Sequence, residues 1–493
     1  MKNHNLKTGS ELLKTPAFLI ALLASLILGA YLVANGGIMV IALLLAVPII
    51  FVYLFYLIKN PAIGIITIVF LSFLIAGLQR YLPGTIKLGL SIDFMLVLTL
   101  LASFINIKLF LEKVKQVKTD LLLLSLLWFA YNILEIFNPN AIGISPWLFG
   151  IRSTVIYLIF IILLGSTWVS TFKYLKIFLY IWGVFTILGT LKGIMQLTMG
   201  LDPFEQKWLN DGNYLTHVLY GKLRVFSFFS DAGQFGAAQG QAAVVGLIVA
   251  SGVKGWQKKS FFLLMGFAGL YGLMISGTRG AVAIPFVGAF TYVLLRKNIP
   301  LIIIISTLTM AGYFFLTKTH IGSQYYFIYR IRTAFDPEDA SYQVRLGTWD
   351  KYKHYLKDKP FGAGVGTTGR IGQHFTPKSY LSTLSTDSFI AQIWVEQGII
   401  GLILYLGILL YVLFKSFIII FFRIKSKELH IILIALVAGL FGVIVASYGN
   451  SVIGQFPISI LSYLSIVFLF NGEILDKEII DNEKKKLGAI SNE

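Results

Sequence analysis

The chain has 493 residues, 57% of them hydrophobic and only 13% charged, where a soluble domain carries roughly 25% charged residues. Its mean hydropathy is +0.79, and the apolar residues fall in runs of about 18 to 22, long enough as helices to cross a ~30 Å hydrocarbon core. Soluble and peripheral proteins are excluded, and the net charge of +18 is no nucleic-acid signal, because much of it sits in short clusters between apolar runs.

In chain order, the basic N-terminal stretch MKNHNLKTGSELLKTP leads straight into a full-length apolar run. It lacks a short apolar region followed by a cleavage site, so it reads as a start-transfer segment. The pattern predicts about fourteen spans: 16–34, 37–58, 61–78, 92–111, 119–137, 150–168, 174–194, 233–253, 260–277, 280–295, 299–316, 398–416, 429–448 and 452–470. Basic clusters precede the first span (Lys2, Lys7, Lys14) and follow the fourth (Lys113, Lys115, Lys118) and the eighth (Lys254, Lys258, Lys259). Others follow the tenth (Arg296, Lys297) and the twelfth (Lys415, Arg423, Lys425, Lys427). All fall on one side if both termini are cytoplasmic. The chain then divides into N-terminal helices (1–118), central helices (119–316) with an outer loop at 195–232, a large extracytoplasmic loop (317–397), C-terminal helices (398–470) and a tail (471–493). A loop as long as 317–397 is usually functional. The charged stretch from Asp476 to Glu493 reads as a solvated cytoplasmic end. With no cysteine, neither a disulfide framework nor a thiolate metal site can form.

Four arginines on the outer side run against the charge bias that sets topology. Arg152 opens the sixth span, Arg224 precedes the eighth, Arg279 caps a tight hairpin in SGTRGA, and Arg345 lies in YQVRLGTWDKYKHYLKDKPFGAGVGTTG. Singly, each reads as snorkelling or as pairing with an acid. Together, planar guanidinium groups at a membrane surface suit a lipid-borne pyrophosphate, whose oxygens they grip in a bidentate fork. Tyr342, Leu346, Trp349, Tyr352 and Leu356 share a helical stripe with Arg345, which predicts an amphipathic helix lying on the outer leaflet. Gly364 to Gly369, GVGTTG, matches GxGxxG in letters only. No strand precedes it, so it reads as a glycine-rich turn and not a nucleotide site. In TDSFIAQIWVEQGIIGL, Asp387 reads either as part of a Thr386-Asp387-Ser388 helix cap or as a general base, and Glu396 as an interfacial acid paired with an arginine.

These elements in this order (RVFSFFSDAGQFG, SGTRGA, the Arg–Trp helix leading into PFGAGVG, and the ExGxxGL helix) resemble the O-antigen ligase and Wzy-type polymerase superfamily over roughly residues 120–470. The resemblance implies an all-α, GT-C-like membrane enzyme without a metal or cofactor. Such an enzyme transfers an oligosaccharide from undecaprenyl pyrophosphate to an acceptor at the outer face of the cytoplasmic membrane. Its implied partners are that lipid-linked oligosaccharide, a glycan acceptor, membrane lipid and a chain-length regulator. Pyrophosphate binding falls to Arg224, Arg279, Arg345 and Arg152. Members of the family carry an HN pair where this chain has Thr386-Asp387-Ser388, which makes Asp387 the candidate base and favours a polymerase over a ligase. Glu396, Asp231, His374 and His354 are secondary candidates. A transporter or lipid-glycan flippase is the alternative of another class, but it should place ionisable residues at mid-span, and here Glu135 and Lys192 lie near span ends.

Overall fold

The computed structural model describes residues 45–490 except 85, 116, 220, 297–298, 334–335, 337 and 385–386. The first expected span, the first basic cluster, Lys297 and Thr386 therefore lie outside the described residues. The chain separates into two units, Met1–Ile63 and Gly64–Glu493. In the first, the described residues are 45–63, with α1 at Leu45–Lys59.

The long helices that follow are α2 Ala62–Leu78, whose first two residues belong to the first unit, and then α3 Leu90–Ile105, α5 Thr119–Leu134, α6 Ile144–Trp168 and α7 Phe172–Thr198. They continue as α9 Ala232–Ala250, α10 Trp256–Ser276, α11 Ala283–Arg296, α12 Ile299–Lys318, α16 Phe389–Phe422, α17 Lys427–Ala446 and α18 Ile458–Phe470. Shorter helices are α4 Ile107–Val114, α8 Pro203–Trp208, α13 Tyr326–Arg332, α14 Ala340–Tyr355 and α15 Gly369–Phe375, and α19 Gly472–Ile490 closes the chain. The β-structure among the described residues is a two-residue hairpin pairing Val218–Leu219 with Lys222–Leu223. The protein is a polytopic all-α membrane protein. Eight described helices are long and apolar enough to cross a membrane, and ten if two bent pairs count as spans.

A helix lies along the described part of every expected span from the second onward, with instructive departures. The expected fourth span bends by 105° between α3 and α4. The second arm is amphipathic and buries Phe110 against Trp168, while Lys113 sits over the same indole. The eighth, α9, is rich in Gly, Ala and Gln because it faces other helices: all of it except Gly233 and Leu247 is buried. A helix enclosed by protein needs no apolar coat, provided its polar groups are satisfied internally. Gln234 Nε2 donates to the Val452 carbonyl at 2.6 Å, and Gln239 Nε2 to that of Thr186 at 3.1 Å. Small residues let the backbones close up: a Cβ on Gly269 would stand 2.6 Å from the Gln239 carbonyl oxygen. This central helix fixes the ends of α10, α11 and α17, where the candidate site forms.

The C-terminal tail departs from the solvated end expected of it. It is helical, and its first turns are docked: Glu473 pairs with Lys118 at 2.9 Å and Arg423 at 2.5 Å. Asp476, buried, accepts the backbone N–H groups of Lys425 and Ser426, and Glu478 accepts that of Phe172. Acids at i, i+3 and i+5 of one helix thereby tie together the ends of α5, α7, α16 and α17.

Candidate functional site

Gly277, at φ +60°, ends α10 in the left-handed conformation and turns the chain into Thr278 and Arg279. The hairpin is fixed to the start of α9: Thr278 Oγ1 donates to the Ala232 carbonyl at 2.7 Å. Arg224 packs behind it, donating from Nη2 to Thr278 Oγ1 at 3.2 Å and from Nη1 to the Thr216 carbonyl at 2.9 Å. Buried Arg330 on α13 flanks the same turn, because a Cβ on Gly277 would lie 3.7 Å from the Cγ of both arginines.

Arg279 projects the other way. It donates to Thr333 Oγ1 at 3.2 Å and forms an ion pair with Asp339 Oδ2. The other carboxylate oxygen of Asp339 accepts the Tyr342 N–H at 3.2 Å in the first turn of α14. About one turn further along α14, Arg345 donates from Nη2 to the Gly449 carbonyl just beyond α17, at 3.3 Å. Arg279 and Arg345 both line a cavity of about 800 Å³. Asp339, Tyr342 and Tyr448 join them, and the wall then continues from Val282 along α11 as Phe286, Phe290 and Val293, faced by Met310 and Tyr313 of α12. From Arg279 to Val293 the helical rise amounts to roughly 20 Å. The cavity is therefore amphiphilic, with two guanidinium groups at one end and an apolar trough between helices for the rest.

Residues 261–406 match the family model described as O-Antigen ligase. An O-antigen polymerase of Salmonella muenchen is 25% identical over 284 residues, 55% of this chain and 68% of the relative. Over these residues the chain is similar to O-antigen ligases and polymerases. The ligase-type segment, 261–406, contains Arg279, Arg345, Asp387 and Glu396, whereas Arg152 and Arg224 precede it.

The expected site residues divide accordingly. Arg152 does not line the cavity. It forms an ion pair with Asp93 Oδ2, donates to Oδ1 at 3.1 Å, and reaches the Gly89 carbonyl and the Tyr157 hydroxyl at 3.1 Å each. Asp231 caps α9, its Oδ1 accepting the Gln234 N–H at 2.9 Å. His374 and His354 are exposed on α15 and α14 and line no part of the cavity.

Asp387 is not the helix cap. That part is taken one residue later by Ser388, whose Oγ accepts the Ala391 N–H at 3.2 Å. Exposed Asp387 instead borders a narrow cleft with Arg345, Trp349 and Ser388. Glu396, expected beside an arginine, is fully buried against the glycine-rich turn. Its Oε1 accepts from Thr368 Oγ1 at 2.5 Å, from the Thr368 N–H at 3.3 Å and from Gln392 Nε2 at 3.3 Å. GVGTTG thus cradles the chain's own carboxylate. Its Gly366, at φ +84°, packs so tightly that a Cβ would stand 2.4 Å from the Pro146 carbonyl oxygen.

The amphipathic helix also differs from its expected placement. Tyr342 and Leu346 are 41% and 43% exposed, whereas Tyr352 and Leu356 are buried with Ala363, Leu381, Ala391 and Val395. The stripe packs on protein at its C-terminal half, because 389–397 supplies the apolar partner that the leaflet was expected to provide. Sequence reasoning missed Asp339, Arg330 and His217. Asp339 reads as an ordinary acid before a helix, and nothing in sequence links it to a residue sixty positions earlier. His217 is buried between Trp208 and Phe226, with Nε2 accepting the Ala232 N–H at 3.3 Å. That burial pushes it down to about 4.

Proposed function

We propose that this protein is a surface-polysaccharide polymerase acting on polyprenyl-pyrophosphate-linked oligosaccharide at the outer face of the cytoplasmic membrane, with both termini cytoplasmic. The observation that carries this reading is the amphiphilic cavity of about 800 Å³: Arg279 and Arg345 stand at its head and an apolar trough runs from them. A diphosphate esterified to a long prenyl chain has this same division of charge and hydrocarbon. The basic clusters at the opposite span ends support the orientation.

In the reaction, an acceptor hydroxyl oxygen forms a bond to the anomeric carbon of the donor while the bond from that carbon to the phosphate oxygen breaks. The electron pair leaves with the polyprenyl pyrophosphate, and the hydroxyl proton passes to the Asp387 carboxylate. Direct attack inverts the anomeric configuration. Arg279 and Arg345 neutralise the charge growing on the leaving group, the kind of preorganised electrostatics that dominates enzymatic rate enhancement. Guanidinium groups here take the part that a divalent cation plays in nucleotide-sugar transferases. Arg224 and Arg330 act behind them by fixing the hairpin.

The match of 261–406 to an O-Antigen ligase model favours a second reading, transfer of finished glycan to a lipid or protein acceptor. One experiment addresses both. Purified protein in nanodiscs receives a pyrophosphate-linked repeat unit alone. A ladder of longer lipid-linked products supports the polymerase; no product until a separate lipid or protein acceptor is added supports the ligase. Arg279→Ala protein that is present in the membrane and makes normal product refutes the pyrophosphate role.

A further inference from the structure

Trp349 is the middle ring of three. Its indole stands 5.7 Å from that of Trp394 and 5.5 Å from the Tyr448 ring, tilted by 39° and 41°. Tyr448, 48% exposed, lines the arginine cavity, Trp349 lines the cleft that Asp387 borders, and Arg345 lines both. The aromatic ladder therefore runs from the phosphate seat to the candidate base, the interval in which an attacking sugar must lie.

Hydrogen-bond donors along this interval lack protein acceptors. Trp349 Nε1, Arg345 Nε and Asn450 Nδ2 are shielded and make no hydrogen bond. Asn450 Nδ2 is pressed against Gly280 in the cavity wall, 2.3 Å from where a Cβ there would stand. A buried donor left unpaired is costly, and three lie together at the edge of the cavity. Binding sites combine aromatic surface with a few directed polar groups in this way.

We infer that Trp349, Tyr448 and Trp394 form a platform for the terminal pyranose ring of an acceptor glycan, its C–H face stacked on the rings. The identification of this sugar as the acceptor rests on the transferase reading; the binding of a neutral sugar ring does not. Stacking holds the ring while Asp387 meets the hydroxyl that attacks. Because the platform is aromatic and the phosphate seat is cationic, acceptor and donor are held by different chemistry.

The test reads binding without turnover. The probe is the free oligosaccharide released by mild acid from the host cell's lipid-linked pool, titrated by calorimetry into the detergent-purified full chain. Trp349→Ala and Tyr448→Ala should each weaken binding on the order of tenfold, while Trp349→Phe and Tyr448→Phe, which keep a ring, should retain most of it. Trp256→Phe, at an exposed indole on α10, should change nothing. No oligosaccharide binding to the unaltered chain, or equal binding by both alanine variants, overturns the platform. Failure here is separable from failure of the transferase reading. A chain that elongates donor but binds sugar independently of Trp349 loses only the platform; one that binds sugar through Trp349 but yields no product loses only the transferase.

Discussion

Asp339 holds two elements with its two oxygens: Oδ2 forms an ion pair with Arg279, and Oδ1 accepts the Tyr342 N–H that opens the helix carrying Arg345. A carboxylate thus occupies the guanidinium at the head of the cavity, where the proposed donor would place a phosphate oxygen.

That relationship makes Asp339→Asn informative, since asparagine caps a helix about as well as aspartate but carries no charge. With the competing carboxylate gone, the apparent KM for the pyrophosphate-linked donor should fall several-fold, about 1 kcal/mol. Steady-state assays over a donor series would check it, and a raised KM would show that the pair positions Arg279 instead. Asp339→Ala also loses the cap and should lower thermal stability by about 1 kcal/mol.

Asp387→Asn should lower turnover by roughly 10²- to 10⁴-fold, the usual contribution of a general base. Donor KM should stay near its normal value, because Asp387 borders the cleft and does not line the cavity. Single-turnover product formation is the measurement, and full activity would remove Asp387 from the mechanism.

Gly366 and Gly398 stand at φ +84° and +68°, and a Cβ on Gly398 would lie 1.9 Å from the Pro360 carbonyl oxygen. Alanine at either position meets a left-handed backbone penalty together with overpacking, about 3 kcal/mol in all. Gly347, in α14, has open space around its Cβ position, and Gly347→Ala should stabilise by roughly 0.5–1 kcal/mol. Thermal melts in detergent distinguish the two classes.

His217 supplies a pH dependence. Its burial favours the neutral ring and holds its folded pKa near 4, against an ordinary value of 6.5. Between those values the unfolded chain binds more protons, so stability is present above pH 6.5 and is lost as pH falls toward 4. The melting temperature should drop over that window, and His217→Gln should flatten the drop. Loop 203–231 should show faster amide exchange at the acid end.

The sequence by itself determined the class of protein and most of its helices. Hydrophobic runs of bilayer length admit few other structures, since the backbone in lipid must satisfy its own hydrogen bonds. It also singled out Arg279 and Arg345, because cations on the disfavoured side of a span need a reason. It could not separate them from Arg152, whose partner Asp93 lies 59 positions away, nor tell that Glu396 belongs to the turn at Thr368. Nor could it choose among Thr386, Asp387 and Ser388 as the cap, because all three side chains can accept the same N–H. Those assignments depend on which helix ends meet, and that is decided by the close packing of small residues around α9, a long-range property that no local periodicity records.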